Sequence, residues 1–175
     1  DDVAVRKGVD DFDRSLIPVA GANKAVDIPE MWQHSFDNGI SILGAQSVET
    51  PTTSVLLKIP AGHYYTTKNK AGTAGLVVSM FRESTTERSA EDMSKALQKL
   101  GSSVYISAGN RYLNINISSL TKNLDATLSL VNEQLRAPAF LESEFERVKN
   151  NAIQGALNNK KDAGYLASTA YRQLL

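Results

Sequence analysis

The sequence predicts an α+β fold, an antiparallel sheet with helices packed on one face. Residues 113–118 alternate apolar and polar side chains, the pattern of a strand with one buried and one solvated face. Paired strand-like segments are followed by paired helical segments, an order typical of antiparallel sheets with segregated helices rather than doubly wound folds. The chain has 175 residues, enough for one full hydrophobic core.

Composition narrows the class of protein. Nineteen Lys and Arg balance nineteen Asp and Glu, so no overall field attracts phosphate backbones or anionic lipid, and we expect no nucleic-acid partner. No apolar run reaches the roughly 18 residues that cross a bilayer, so we expect a soluble chain without a membrane span. Cysteine is absent, which excludes disulfides but fits any compartment, periplasmic or cytoplasmic for a bacterial protein. Localisation stays open.

The position at which regularly spaced apolar residues begin, near residue 31, predicts the domain organisation. Residues 1–30 mix charges with Gly and Pro and show no period, so we expect a linker or lead-in from a preceding domain. Residues 31–175 read as one α+β domain. Because a helical pattern still runs at Leu175, we expect the domain to continue beyond this sequence.

The first elements of that domain are predicted to be strands. Asn38-Gly39 separates two short β-prone runs, which predicts a hairpin with a tight type I′ turn, where both central residues take positive φ. Residues 53–59 are rich in β-branched and apolar side chains, and Pro60 and Gly62 follow. We therefore expect a central strand at 53–59.

Two helices are predicted next. Residues 73–83 are apolar on most sides, as in a buried helix that starts after Gly72. A second helix has a capping box at Ser89 to Asp92 and a stop at Gly101. Its large apolar side chains contribute roughly 1.5–3 kcal/mol each when buried, against about 1 kcal/mol for the cap, so packing should stabilise it most.

Further strands and helices complete the pattern. Residues 102–119 predict a strand pair with a turn at Gly109-Asn110, and helices follow at 124–135, from about 142, and from about 162. The helix at 124–135 is expected to bury Leu124, Leu128, Val131 and Leu135. The predicted core comprises Leu97, Leu100, Leu113, Ile115, Leu128, Val131, Phe145 and Ile153.

Several short phrases stand in a distinctive order. They are NGI at 38–40, Gly72-Thr73-Ala74, FRES at 81–84, LQKLG at 97–101, LRAPAF at 135–140 and FER at 145–147. Together they resemble the insulinase/pitrilysin family of zinc peptidases, relatives of mitochondrial processing peptidase and the core subunits of the cytochrome bc1 complex. The resemblance implies the LuxS/processing-peptidase-like architecture of a metallopeptidase half.

Active members of that family carry H-x-x-E-H, two zinc ligands and a water-activating glutamate, on one helix. Aligned on Gly72-Thr73-Ala74, the histidine positions hold Gly75 and Ser79, and the glutamate position holds Val78. The distal acidic ligand falls near Gln154 or Gly155. The resemblance therefore implies a zinc-less, non-catalytic half with no catalytic, metal or cofactor residues.

The function that the resemblance implies is positioning. A zinc-bearing homologous half, in the same chain or a companion subunit, would cut peptide that this half encloses, and the zinc would lie in that partner. One alternative is an inert scaffold or assembly subunit like the bc1 core proteins. Another is a free-standing α+β binding module unrelated to peptidases.

Other candidate sites have simpler explanations. His34 and His63 are the only histidines, and a metal site would need them to converge with Asp37 or Glu49, so we expect ordinary strand and turn histidines. Ser79 lacks the G-x-S-x-G context of a nucleophile. The segment before Gly72 lacks both phosphate-loop motifs.

Charged and aromatic side chains offer two further groups of candidate contact residues. We expect solvated helix positions for Lys160, Lys161, Arg147 and Lys149. Another group combines aromatic and basic side chains beside two turns, and it comprises Tyr64, Tyr65, Arg111 and Tyr112. These side chains are suited to contact a peptide, but turn-flanking aromatics usually pack, so packing is the expectation.

Overall fold

The structure is a computed structural model that describes residues 15, 21, 29–47 and 49–174, without the side chains of 172 and 173. It forms two compact units, residues 1–47 and 48–175. The linker predicted at 1–30 lies almost entirely outside the described residues and stays a prediction. No described helix is both long and apolar enough to cross a membrane.

The first unit contains the predicted hairpin. Its strands are β1 (Met31–Ser35) and β2 (Ser41–Ala45), paired antiparallel. The prediction of a type I′ turn is wrong. Such a turn needs positive φ at both central residues, but only Gly39 has one, at 86°, and Asn38 does not. The Gly39 N–H donates to the Phe36 carbonyl at 3.0 Å, and the Asn38 side-chain oxygen accepts from Ile40 N–H at 3.1 Å. A three-residue loop with one left-handed glycine therefore closes the hairpin.

The second unit confirms the α+β fold with an antiparallel sheet. Its strands are β3 (Thr52–Ile59), β4 (Ser103–Ala108) and β5 (Leu113–Leu120), and its helices are α1 (Thr73–Met80), α2 (Ala90–Lys99), α3 (Leu124–Arg136), α4 (Glu142–Asn159) and α5 (Ala163–Leu174). The strand order is β3-β5-β4, all antiparallel. The expectation that residues 53–59 form a central strand is wrong, because β5 takes the centre and β3 lies at the edge of the described sheet.

The hydrophobic core lies between one face of this sheet and the helices α1 and α3. Its buried members are Val78, Ile106, Leu113, Ile115, Ile117 and Val131. The opposite face carries Asn116, aligned across the sheet with Leu56 and Tyr105, all exposed. The alternation predicted for β5 is thereby confirmed. Each buried Ile or Leu of this layer contributes roughly 1.5–3 kcal/mol to stability.

The predicted core list is correct in part. Leu113, Ile115 and Val131 are buried, and Leu97, Leu100 and Phe145 are half-buried. Leu128 and Ile153 are wrong, since 37% and 47% of their surfaces stay exposed. On α4, burial ends at Val148, and every residue from 150 to 159 is exposed.

A cluster of hydroxyl groups explains the error on α3. The Thr127 side chain is fully buried, and its hydroxyl lies 2.7 Å from that of Ser102 and 2.9 Å from that of Ser119. Thr127 also donates to the Asn123 carbonyl at 2.9 Å. These bonds satisfy the buried hydroxyls and turn Thr127, rather than Leu128, towards the sheet.

Both predicted ends of α2 are confirmed. The Ser89 hydroxyl accepts from the Asp92 N–H at 3.1 Å, which satisfies one free donor of the first turn. Gly101 takes a φ of 62°, its N–H reaches the Gln98 carbonyl, and the Ser102 N–H reaches the Leu97 carbonyl. This is the Schellman motif, in which glycine takes the left-handed position without a steric penalty.

Candidate functional site

The alignment on Gly72-Thr73-Ala74 predicts that α1 is the helix that bears the metal motif in active members of the resembled family. Gly72 adopts a φ of 94° immediately before it, a conformation open to glycine. Val78 is 4% exposed and belongs to the core, so this position points into apolar packing. The Ser79 hydroxyl donates to the Gly75 carbonyl at 3.0 Å. The hydroxyl at one motif position is therefore bonded to the main chain of another.

A polar hollow of about 460 Å³ lies between α1 and α4. It is lined by Ser79, Arg82, Glu83, Arg147, Val148, Asn151 and Ala152. Arg147 donates to Glu83 across it, which pairs the one carboxylate of the lining. Gln154 and Gly155 are exposed on α4 and do not line it. With two cations, one paired carboxylate and no imidazole, this lining does not fit zinc.

Neither histidine belongs to the lining of that hollow. His34 is in β1 with its ring edge-on to Phe36 at 4.7 Å, and His63 is exposed in the segment after β3. Across the described part of the chain, no three His, Cys, Asp or Glu side chains converge as a metal cluster would require.

A partly buried ion pair connects the segment after α1 to α3, since the Arg88 side chain is 32% exposed. The Glu133 carboxylate is 9% exposed and accepts from Arg88 Nε at 2.8 Å and from the Thr85 hydroxyl at 2.6 Å. Burial alone raises the pKa of Glu133, but the hydrogen bonds from Arg88 and Thr85 outweigh it and lower the net pKa. The hydrogen bond to Glu133 raises the pKa of Arg88. Sequence periodicity missed this network because its partners are distant in the chain.

The segment after β3, residues 62–66, is termed the aromatic turn, and it contacts residues 109–112, the β4–β5 turn. Three main-chain bonds join them: Gly62 to Arg111 at 3.1 Å, His63 to Gly109 at 3.0 Å and Tyr64 to Asn110 at 2.9 Å. Gly62 is buried, and a Cβ there would lie 2.4 Å from the Gly109 oxygen. Only glycine allows this approach, so Gly62 holds the two turns together.

This contact brings together the four aromatic and basic residues noted in the sequence. Tyr64 is 72% exposed, Tyr65 66% and Tyr112 42%, and Arg111 is exposed as well. The expectation that these aromatics serve packing is wrong within unit 48–175, where their rings face solvent. The exposed rings and Arg111 make this end of the sheet a candidate binding surface.

An apolar hollow of about 410 Å³ adjoins the aromatic turn. Its lining is Ile59, Ala61, Gly62, Tyr65, Thr66, Thr73, Ala74, Val77, Phe81, Leu113 and Leu135, none of them charged. The Thr66 hydroxyl donates to the His63 carbonyl at 2.6 Å, and the Thr73 hydroxyl donates to the Lys70 carbonyl at 2.7 Å. Both donors are thus used internally, and the hollow presents mainly carbon to a ligand.

Charge is distributed unevenly along the chain. Residues 50–82 and 93–124 contain eight Lys and Arg and no Asp or Glu, so all nineteen carboxylates lie elsewhere. These segments include all three strands of the sheet β3-β5-β4, the aromatic turn and α1. The balanced net charge hid this asymmetry, although counting carboxylates by segment finds it.

The antiparallel sheet and its helices define an α+β domain, and its first helix, residues 73–80, contains no His, Cys, Asp or Glu. Residues 42–174 match the family model described as insulinase (peptidase family M16). The match covers most of the chain, which therefore belongs to the insulinase family.

Two curated relatives are similar in sequence. The non-peptidase homolog YmxG of Helicobacter pylori is 26% identical over 125 residues, covering 71% of this chain and 29% of the relative. Mitochondrial-processing peptidase subunit alpha-1 of Dictyostelium discoideum is 26% identical over 107 residues, covering 61% and 16%. The chain thus spans less than a third of the length of either relative.

Two solved structures share the fold. The peptidase M16 inactive domain from Pseudomonas fluorescens superposes with a TM-score of 0.74 at 23% identity, covering 79% of this chain and 34% of that one. A protease from Helicobacter pylori gives 0.63 at 20% identity, covering 73% and 31%. The M16 domain architecture predicted from the sequence is confirmed.

Proposed function

We propose that this chain is the non-catalytic half of a zinc-dependent metallopeptidase. It closes against a homologous half that bears zinc, and it encloses and positions the peptide that the partner cuts. The partner half belongs to the same polypeptide or to a companion subunit.

One observation carries the proposal, the chemistry of α1. Residues 73–80 of α1 contain no His, Cys, Asp or Glu, although α1 has a glycine start and packs on the sheet. In the alignment proposed from Gly72-Thr73-Ala74, Gly75 and Ser79 replace the two zinc ligands and Val78 replaces the general base. Without a Lewis acid or a positioned base, this chain lacks both main sources of rate in metal-assisted hydrolysis. Similarity to an inactive domain and to a processing-peptidase subunit supports the same conclusion.

A domain without catalytic groups still contributes to catalysis by holding substrate. Orienting a peptide at a neighbouring zinc site converts an encounter into an intramolecular step, and enclosing it excludes water. In this chain, the exposed tyrosines and Arg111 at the end of the sheet are the groups suited to that role.

A second function is an inert scaffold, in which the fold serves assembly alone. The observation that favours it is the similarity to a relative named a non-peptidase homolog. The scaffold and the accessory half differ in whether the assembled protein hydrolyses peptide.

The test is cleavage of an internally quenched fluorescent peptide. We expect no cleavage by this chain alone, and chelator-sensitive cleavage when it is combined with the homologous half that carries H-x-x-E-H. The matched control replaces both histidines of that partner motif with alanine, which should abolish cleavage while leaving assembly intact. Chelator-resistant cleavage by the chain alone would refute the proposal, and an assembled but inactive complex would favour the scaffold.

A further inference from the structure

We infer that the end of the sheet binds an acidic peptide segment carrying one large apolar side chain. The surface comprises the aromatic turn, the β4–β5 turn and the apolar hollow beside them. The inference rests on the proposed function and specifies the class of peptide that this half positions.

The surface is preorganised by main-chain contacts. The three hydrogen bonds between the two turns hold Tyr64, Tyr65 and Arg111 on one support, and Gly62 permits the close approach. A peptide that binds here meets groups whose backbone is already ordered, which lowers the entropic cost of binding.

The charge of the surface selects for carboxylates. Lys68 and Lys70 follow the aromatic turn directly, and Arg111 lies on the β4–β5 turn. Both sites adjoin the hollow, since Gly62 bonds to the Arg111 carbonyl and Thr73 bonds to the Lys70 carbonyl. No Asp or Glu occurs in residues 50–82 or 93–124, so these sheet segments offer no competing carboxylate of their own. Cations in such a setting attract an anionic peptide and repel a basic one.

The hollow selects for an apolar side chain. Its volume of about 410 Å³ lies within the range of roughly 300–1,000 Å³ typical of ligand pockets. The lining is uncharged and its threonine hydroxyls donate to main-chain carbonyls, so a buried polar group would find few partners. A Phe or Leu side chain suits this environment, with the Tyr65 ring alongside.

Nucleic acid is a different class of ligand for a basic, aromatic surface, because bases stack on exposed tyrosines. The apolar lining of the hollow favours peptide, since it provides no partners for the polar edges of a base. The nucleic-acid alternative is therefore included as an outcome of the test.

The experiment measures fluorescence anisotropy of labelled probes with the full 175-residue chain. The probes are a short peptide with one Phe among Glu and Ser, the same peptide with Lys for Glu, the same peptide with Ala for Phe, and a single-stranded oligonucleotide. We expect the acidic Phe peptide to bind at least about tenfold more tightly than the other three. Equal binding of the acidic and basic peptides, or tighter binding of the oligonucleotide, overturns the inference.

Variants of the chain locate the binding surface. The double variant Lys68→Glu with Lys70→Glu should weaken binding of the acidic Phe peptide about tenfold. The matched control, Lys160→Glu with Lys161→Glu at the α4–α5 junction, makes the same change in net charge and should leave affinity within about twofold. An equal loss in both variants would indicate only a nonspecific charge effect and overturn the inference.

A third variant tests the hollow separately from charge. Ala61 is exposed and lines the hollow, so Ala61→Phe fills it without disturbing the buried core. It should weaken the Phe peptide about tenfold and leave the Ala peptide unchanged, with an unaltered melting temperature. Unchanged binding of the Phe peptide by this variant would overturn the inference that the hollow binds the apolar side chain. Because binding is measured on the chain alone, its failure is distinct from a failure of chelator-sensitive cleavage by the assembled peptidase.

Discussion

Strand β5 in the hydrophobic core and the helices α4 and α5 both have regularly spaced apolar side chains, but these side chains are buried to very different extents. Ile115 at the centre of β5 is fully buried, whereas Ile153 and Leu157 on α4 are 47% and 45% exposed, and Leu166 on α5 is 49% exposed. Both regions place apolar side chains at regular spacing. Periodicity therefore predicts that an element has an apolar face, but it does not show whether another part of the described chain covers that face.

The largest expected effect on stability comes from truncating a buried isoleucine, compared with the same truncation on α4. Ile115→Ala removes a fully buried side chain between β3 and β4 and should cost about 2–5 kcal/mol of unfolding free energy. The matched substitution Ile153→Ala, on the exposed face of α4, should cost less than about 1 kcal/mol. Urea denaturation of both variants measures the difference. Similar losses would mean that the face of α4 is covered in solution.

Two glycines, Gly62 beside the sheet and Gly155 on α4, allow the same comparison with backbone substitutions. Gly62→Ala forces a Cβ to within 2.4 Å of the Gly109 oxygen and should cost about 1–3 kcal/mol while separating the two turns. Gly155→Ala on α4 meets nothing within 4 Å and should stabilise the chain by up to about 1 kcal/mol, because alanine favours a helix. Thermal melting of the two variants should therefore shift in opposite directions. A stabilising Gly62→Ala would contradict the close contact between the turns.

The hydrogen bonds that Glu133 accepts from Arg88 and Thr85 should make the free energy of unfolding depend on acid pH. The folded-state pKa of Glu133 is lowered from 4.5, so its stabilisation is present above that pH and is lost as pH falls through the lower folded value. Glu133→Gln should cost about 1–3 kcal/mol at neutral pH and flatten the acid dependence of unfolding. Glu91→Gln is the control, because its pair with Lys95 on α2 is exposed and should matter little. An unchanged acid slope in Glu133→Gln would exclude this carboxylate as the source.

The smallest effect concerns the start of α2. Ser89→Ala removes the acceptor for the Asp92 N–H and should cost about 1 kcal/mol. Ser94→Ala, in the exposed interior of the same helix, should be neutral or slightly stabilising. Chemical denaturation can resolve the two. A neutral Ser89→Ala would show that the packing of Met93 alone maintains this end of the helix.

The elements that sequence reasoning placed correctly are those whose signals are local. Ser89 and Gly101 mark the two ends of α2 because caps depend on residues within one turn. The alternation in β5 is equally local. The edge position of β3 was missed because its apolar residues resemble those of a central strand, whereas position in a sheet depends on which strands pair.

The composition and spacing of residues alone determined the fold class, the alternation of β5 and both ends of α2. The assembled chain decided which face of α3 is buried, since Thr127 bonds to Ser102 and Ser119, side chains contributed by other elements. It likewise brought Tyr64 and Arg111 together, through Gly62 and the β4–β5 turn. The physical reason is that propensity and capping act within a few residues, while hydrogen-bond partners and packing surfaces come from segments distant in the chain.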